Sequence, residues 1–255
     1  MVKVEDRDQL DRAFAISTAA HYPGIDQCPD IVVEEYLAGP EISVDGSIVS
    51  GAYQPHIVAR KKTGPPPFFE ETGHVVSPDD PAGSDPDILQ ILRRGHAALG
   101  FDHGMTHTEI KFTAHGPVII EINGRPGGDL IPRLGWLAAG VDLGMIAAQV
   151  AAGRQPSPST PATSEKGGPS RTVGIRFCLP TQDMKLTGLD LPRPADHPGL
   201  IEAVQLVAPD TVLRRPPANY TARAAYLIAE GTDLSDCTAR LDKLAGHVTI
   251  AGMPV

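Results

Sequence analysis

Two short stretches place acidic and amide side chains where they could hold a metal ion or a phosphate. The first is VIIEINGRPGG, residues 118–128. Successive side chains of a strand alternate between faces, so Glu121, Asn123 and Arg125 line one face while Val118, Ile120 and Ile122 line the other. The second is THTE, which ends at Glu109, twelve residues before Glu121. If the turn AHGP (114–117) joins strands 106–113 and 117–123 as an antiparallel hairpin, the two carboxylates face each other with Cβ atoms about 4.5–5.5 Å apart. Like charges so close repel, and a divalent cation between them removes the repulsion. Two carboxylates and the Asn123 amide oxygen suit hard Mg²⁺ or Mn²⁺, which take few protein ligands and keep sites for phosphate. Arg125 cannot ligate a metal, but its rigid fork suits phosphate, carboxylate or an oxyanion formed during a reaction. The same residues also read as a polar strand end with a surface ion pair from Glu121 to Arg125 or Lys111.

The elements that must position these groups follow from periodicity and breakers. A strand stub at 2–4 precedes a helix over 6–20, in which Leu10, Ala13, Phe14 and Ser17 recur at helical spacing after a capping Asp6. IVVEEYL (31–37) and EISVDGSIVSGAY (41–53) are rich in β-branched residues, are broken by Gly-Pro and Asp-Gly, and read as antiparallel strands. PDILQILRRGHAALG (86–100) is a helix with Pro at its entry and Gly at its exit. Helical Ala- and Leu-rich sequence follows Arg125 to about 152, and then GRQPSPSTPATSEKGGPS breaks all periodicity. The expected organisation is a unit over 1–153, a linker over 154–170 and a small C-terminal α+β domain over 171–255. The last has strands near 171–179, 200–207, 223–229 and 247–251, a helix near 233–245 and no evident cluster of chemical groups.

Bulk properties narrow the partner class. The 255 residues are 41% hydrophobic and carry a net charge of −9. With no basic block, the balance argues against nucleic acid and anionic membranes and for a small-molecule partner. Cys28, Cys178 and Cys237 lack C-x-x-C spacing and read as packing thiols in a reducing compartment. No apolar run reaches membrane-spanning length and the start lacks a signal-peptide pattern, so the expected compartment is the cytoplasm.

Upstream of the hairpin, VVEEYLAGPEISVDG (32–46) carries Glu34, Glu35, Tyr36 and Leu37 into a Gly39-Pro40 turn and Glu41. Together with the Glu109 and EINGR stretches, this resembles the ATP-grasp superfamily. The resemblance is to its carboxylate–amine ligase branch, the L-amino acid ligases. It implies the C-terminal part of an ATP-grasp fold, an antiparallel sheet with helices. It further implies that Glu34 to Leu37 line the adenine of ATP, that Glu41 meets the ribose, and that Glu109, Glu121 and Asn123 bind Mg²⁺ or Mn²⁺. Arg125 then stabilises the acyl-phosphate and tetrahedral species. RKKTGPPPFFEETGHVVSP (60–78) resembles a loop of that branch. There Lys61 or Lys62 matches a lysine on the terminal phosphates, and Glu71 and His74 match a pair that binds the amino acid. His103, His107 and Trp136 are taken as structural, and Asp129 reads either as a pocket-edge residue or as a helix cap.

The resemblance begins mid-domain, because family members carry a preceding domain, a further lysine and a glycine-rich loop. The expectation is therefore an incomplete phosphate cradle, completed by sequence outside this chain or by a separate chain, and weak activity of the 255 residues alone. A homodimer is compatible with this reading. Carboxylase or purine-pathway chemistry of the same superfamily is the alternative reaction, and a split, non-catalytic binding subunit is the alternative role.

Overall fold

The computed structural model describes residues 1–19, 30–156 and 171–255. Cys28 and most of the stretch expected as a linker, 157–170, lie outside them. The described chain contains α1 (Leu10–Ala19), β1 (Glu41–Val49), β2 (Ala52–Thr63), β3 (Glu71–Val76), α2 (Pro86–Ala98), β4 (Gly104–Thr113), β5 (Gly116–Asn123), α3 (Ile131–Ala139) and α4 (Leu143–Ala151). It continues with β6 (Thr172–Cys178), β7 (Met184–Asp190), β8 (Leu200–Gln205), β9 (Val212–Leu213), β10 (Ala225–Gly231), α5 (Leu234–Ala245) and β11 (Thr249–Pro254).

Eight strands form one antiparallel sheet in the order β5-β4-β1-β2-β3-β6-β10-β8, and β11-β7-β9 form a second, small sheet. The strands at 172–178, 200–205 and 225–231 thus continue the sheet begun by β1 to β5. Alternation along β2 sorts the layers. Ile57 and Ala59 join a core with Leu134, Leu143 and Ile146 of α3 and α4, while Val58 joins one with Ile88 and Leu92 of α2. Val75 of β3 packs with Leu241 of α5. Helices α2 and α5 therefore cover one face and α3 and α4 the other, as sheets with two buried faces require.

Local chemistry sets the helix ends. Asp85 caps α2 by accepting the N–H groups of Asp87 and Ile88, Pro86 occupies its first turn, and Gly100 follows at φ +66°. Gly140 ends α3 in the left-handed region and Asp142 caps α4. Among the described residues no single helix is long and apolar enough to cross a membrane; α3 and α4 reach that length only as a pair bent by 106°.

Several expectations are corrected. Residues 2–4 and 31–37 form no strand, and Val32 and Val33 are each 78% exposed. Their β-branched side chains find no neighbouring surface to pack on, which is what strand preference rewards. Of the helix at the start, Ala13 is buried while Leu10 and Phe14 are exposed. The turn after β1 is made by Ser50 and Gly51, both at positive φ, rather than at Asp45-Gly46. On β5 a bulge falls opposite Glu109/Ile110, so Glu121 pairs with Glu109 but Ile119 with Ile110. The extra residue is Ile120, and it shifts the alternation by one. Val118 consequently shares a face with Lys111 and is exposed, whereas Ile119 joins Ile122 beneath α2.

Candidate active site

Register across five strands brings the chemical groups to the α3/α4 face of the sheet. On β1, Glu41 pairs with Lys61 of β2 and Lys111 of β4, Ser43 with Glu109, and Asp45 with His107. One strand further out, Glu109 pairs with Glu121 and His107 with Asn123 of β5, while on the other side Lys61 pairs with His74 of β3. Directly paired residues share a face, so ten residues from five strands form one polar patch.

Lys61 is its hub. Its Nζ lies 2.5 Å from Glu41 Oε1, 2.9 Å from Glu71 Oε1 and 2.9 Å from Glu109 Oε1, and its side chain is 4% exposed. Burial alone would lower its pKa, but Glu71, Glu109 and Glu41 together hold it above the ordinary lysine range. Glu109 responds in the opposite direction. Burial would raise its carboxyl, yet His107 and Lys61 hold it down at about 2. It is therefore an anion at neutral pH. Glu121 is exposed and accepts a hydrogen bond from Asn123 Nδ2 at 2.9 Å, which leaves the Asn123 amide oxygen without a partner among the described residues. An ionised carboxylate, a second carboxylate in register and a free amide oxygen make an all-oxygen donor set of the kind hard divalent cations take.

His107 is buried between Asp45 and Glu109, with Nδ1 3.2 Å from Asp45 Oδ2 and Nε2 3.6 Å from Glu109 Oε1. Burial disfavours its charge, but the two carboxylates raise its pKa to about 9. Asp45 also accepts the Gly127 N–H at 2.5 Å. A second cluster adjoins the first. His74 Nε2 lies 3.2 Å from Asp129 Oδ2 and 3.5 Å from Glu71 Oε2. Arg223, just before β10, grips Asp129 with both nitrogens at 2.6 and 2.7 Å, donates to the Glu71 carbonyl at 3.1 Å and lies over the Phe177 ring. Burial would raise Asp129, but His74 and Arg223 hold it well below the usual carboxylate range. The ligand atoms of Glu71, His74 and Asp129 lie within 4.8 Å of one another, but Arg223 and Lys61 already neutralise the carboxylates there.

The structure thus gathers Glu41, Lys61, Glu71, His74, Glu109, Glu121 and Asn123 on one face. The expected loop over 60–78 is mostly strand: Lys61 and Lys62 lie on β2, Glu71 and His74 on β3. Lys62 points to the opposite face, where its Nζ meets Asp242 of α5 at 2.7 Å, so alternation separates the two lysines. Arg125 is exposed and donates to the neighbouring Pro126 carbonyl at 2.9 Å, not to Glu121. Glu34, Glu35 and Tyr36 are exposed and Leu37 is half-buried, in a segment whose backbone groups make no hydrogen bond among the described residues. Its Tyr36 ring stacks on Phe69, with Lys3 Nζ 4.2 Å and Lys111 Nζ 5.9 Å from the ring centroid. Since Lys111 also reaches Glu41 at 3.4 Å, this segment adjoins the Glu41 end of the patch.

Of the two readings of Asp129, the helix cap is corrected. Asp129 does not cap α3, whose N-terminal residue Leu130 has no side-chain cap, but it joins His74 and Arg223. Asp45 and Arg223 are site residues that sequence alone does not bring forward, and His107, expected to be structural, lies in the patch between Asp45 and Glu109. Consecutive positive φ angles at Asp129 (51°) and Leu130 (62°) mark the loop they surround as strained. His103 bonds the Val150 carbonyl, as a structural histidine does, and Trp136 is 44% exposed on α3.

The large antiparallel sheet with helices on both faces matches the ATP-grasp fold. The chain belongs to the ATP-grasp domain family, which matches residues 2–133. Among curated relatives, the uncharacterized protein y4rH of Sinorhizobium fredii is 30% identical over 79% of this chain and 40% of its own length. Carnosine synthase 1 of Mus musculus is 30% identical over 61% of this chain and 18% of its own length. The crystal structure of an L-amino acid ligase from Bacillus licheniformis superposes with a TM-score of 0.76 at 19% identity, covering 99% of this chain and 61% of that one. The chain spans less than half the length of the curated relatives it matches.

Proposed function

We propose that this chain carries the metal and terminal-phosphate side of an ATP-dependent carboxylate–amine ligase site. The observation that carries the reading is the convergence of Glu41, Glu71 and Glu109 on buried Lys61, beside the in-register pair Glu109–Glu121. In the overall reaction a substrate carboxylate attacks the γ-phosphorus of ATP and releases ADP. An amine then attacks the acyl carbon, phosphate leaves, and the amine proton passes to solvent or a base. Glu109, Glu121 and Asn123 would hold Mg²⁺ or Mn²⁺, which neutralises phosphate charge when bound. Lys61 would meet terminal phosphate oxygens by exchanging one of its carboxylate partners for them. Glu41 and the open backbone of Glu34–Leu37 would take the ribose and adenine. Arg125, with no carboxylate partner among the described residues, is the guanidinium available to a developing oxyanion. Glu71 and His74 would face the amino-acid substrate. The names of two of the similar proteins, carnosine synthase 1 and L-amino acid ligase, favour this branch.

Nucleotide binding tests the reading directly. Calorimetric titration of the full 255-residue chain with ADP, with and without Mg²⁺, should show metal-dependent affinity that Lys61→Ala and Glu109→Gln each weaken at least tenfold. Affinity indifferent to metal and to both substitutions would sink it. ADP release stimulated by amino-acid pairs favours the ligase, whereas bicarbonate dependence would move the chain to the carboxylase branch.

A further inference from the structure

Asp45 is the least expected group in the sheet. It lies in the middle of β1 and is 0% exposed, on the same face of the strand as Glu41 and Ser43. Its two oxygens are used for different things. Oδ1 accepts the Gly127 N–H at 2.5 Å, and Oδ2 faces His107 Nδ1 at 3.2 Å. His107 presents its other nitrogen to Glu109 Oε1 at 3.6 Å, and the same Glu109 oxygen takes Lys61 at 2.9 Å. A continuous polar chain therefore runs from the backbone of the loop after β5 to the carboxylate pair. The joint is tight: a Cβ at Gly127 would stand 2.7 Å from His107 Nδ1 and 3.0 Å from Asp45 Oδ2. Only glycine lets the loop backbone come this close.

Geometry gives this chain a purpose beyond packing. Arg125 and Asn123 lie two and four residues before Gly127, so fixing that amide fixes the start of the loop that carries them. His107, fixed on one side by Asp45, orients the Glu109 carboxylate on the other. Ligand-orienting partners of this kind change metal affinity by about 10–100-fold when removed.

We propose that Asp45 is a positioning residue that sets the Glu109 carboxylate and the Asn123–Gly127 loop against each other through His107 and the Gly127 amide, which rests on the metal role proposed for Glu109. The test uses Asp45→Asn, which preserves an acceptor for Gly127 but removes the charge facing His107. Two readouts on the full chain are independent of turnover. One is Mn²⁺ affinity in the presence of ADP, read by electron paramagnetic resonance. The other is the Gly127 amide proton shift and hydrogen-exchange protection by NMR. The expected result is Mn²⁺ affinity at least tenfold weaker, with the Gly127 amide shifted upfield and less protected, while the chain unfolds cooperatively. If Asp45→Asn does not fold, Gly127→Ala disturbs the same joint from the loop side and should give the same loss of Mn²⁺ affinity. Unchanged Mn²⁺ affinity in the folded variant, with Glu109→Gln still weakening it, overturns the role of Asp45 alone. Unchanged affinity in Glu109→Gln as well overturns the metal role on which it rests.

Discussion

Replacing Lys61 with methionine removes the charge at the hub while keeping most of the stem's volume. In the native chain three carboxylate oxygens surround the ammonium at 2.5, 2.9 and 2.9 Å. Oxygens sharing one tetrahedral ammonium lie about 4–5 Å apart, where two unit charges repel by about 3–4 kcal/mol at an effective dielectric constant of about 20. Three such pairs without the cation approach about 10 kcal/mol, which is comparable to the whole stability of a domain. The variant escapes by letting Glu71, 36% exposed, turn toward solvent and by protonating one of the remaining acids. What remains is the loss from breaking a buried ion pair, about 3–5 kcal/mol. The pH dependence has a definite sign. In the native chain Glu109 falls from 4.5 to about 2, so its contribution is present above 4.5 and disappears as pH falls from there toward 2. In Lys61→Met the acid that takes up a proton has a folded pKa above its unfolded one. Its contribution is complete below the unfolded value and is lost as pH rises through the folded value. Between about pH 5 and about pH 8 native Glu109 stays ionised. Urea unfolding followed by circular dichroism in that range therefore reads the loss of stability and the pH dependence that the variant's protonated acid adds. Relative to the native chain, the variant should lose more stability at the upper end than at the lower. A loss under about 1 kcal/mol with parallel pH profiles would refute the convergence of three charges on Lys61.

Lys62→Ala should cost under about 1 kcal/mol, because its pair with Asp242 is exposed, and should leave ADP affinity intact; a loss of affinity equal to that of Lys61→Ala in calorimetry would show that the wrong lysine has been assigned. Gly39→Ala should lower stability by at least about 2 kcal/mol, since the residue sits at φ +136° with a would-be Cβ 2.0 Å from the Phe112 carbonyl oxygen. Unchanged thermal unfolding would mean that the approach of this segment to β4 is not constrained. Arg223→Ala should destabilise by about 3 kcal/mol by stranding Asp129, and adding Asp129→Asn should restore part of the loss. Strictly additive losses in that double-mutant cycle would show that the two groups do not act as a pair.

What could be read in the sequence was the chemistry of single strands. Alternation in EINGR and the spacing to THTE were sufficient to put Glu109 opposite Glu121, and the register pairs them directly. What could not be read was how strands far apart in sequence lie side by side. Lys61 and Lys62 are equivalent as sequence, and only the pairing of β2 with β1 sends one toward Glu41 and the other toward α5. Asp45-Gly46 has the composition of a turn, yet Gly46 is needed because Tyr53 packs where its Cβ would be, 2.6 Å from the hydroxyl. Pro55 similarly hides the first half of β2, and it is tolerated because it faces Gly46 at a bulge. Arg223 meets Asp129 across 94 residues, in a segment that offers no chemical pattern of its own. These failures share a cause. Each residue's role is set by a partner on an element distant in sequence, and the polar patch itself is a property of the strand order β3-β2-β1-β4-β5. That order also explains why one lysine can serve three acids: Glu41, Glu71 and Glu109 come from three different strands, and β2, between β1 and β3, is where a single side chain reaches all of them.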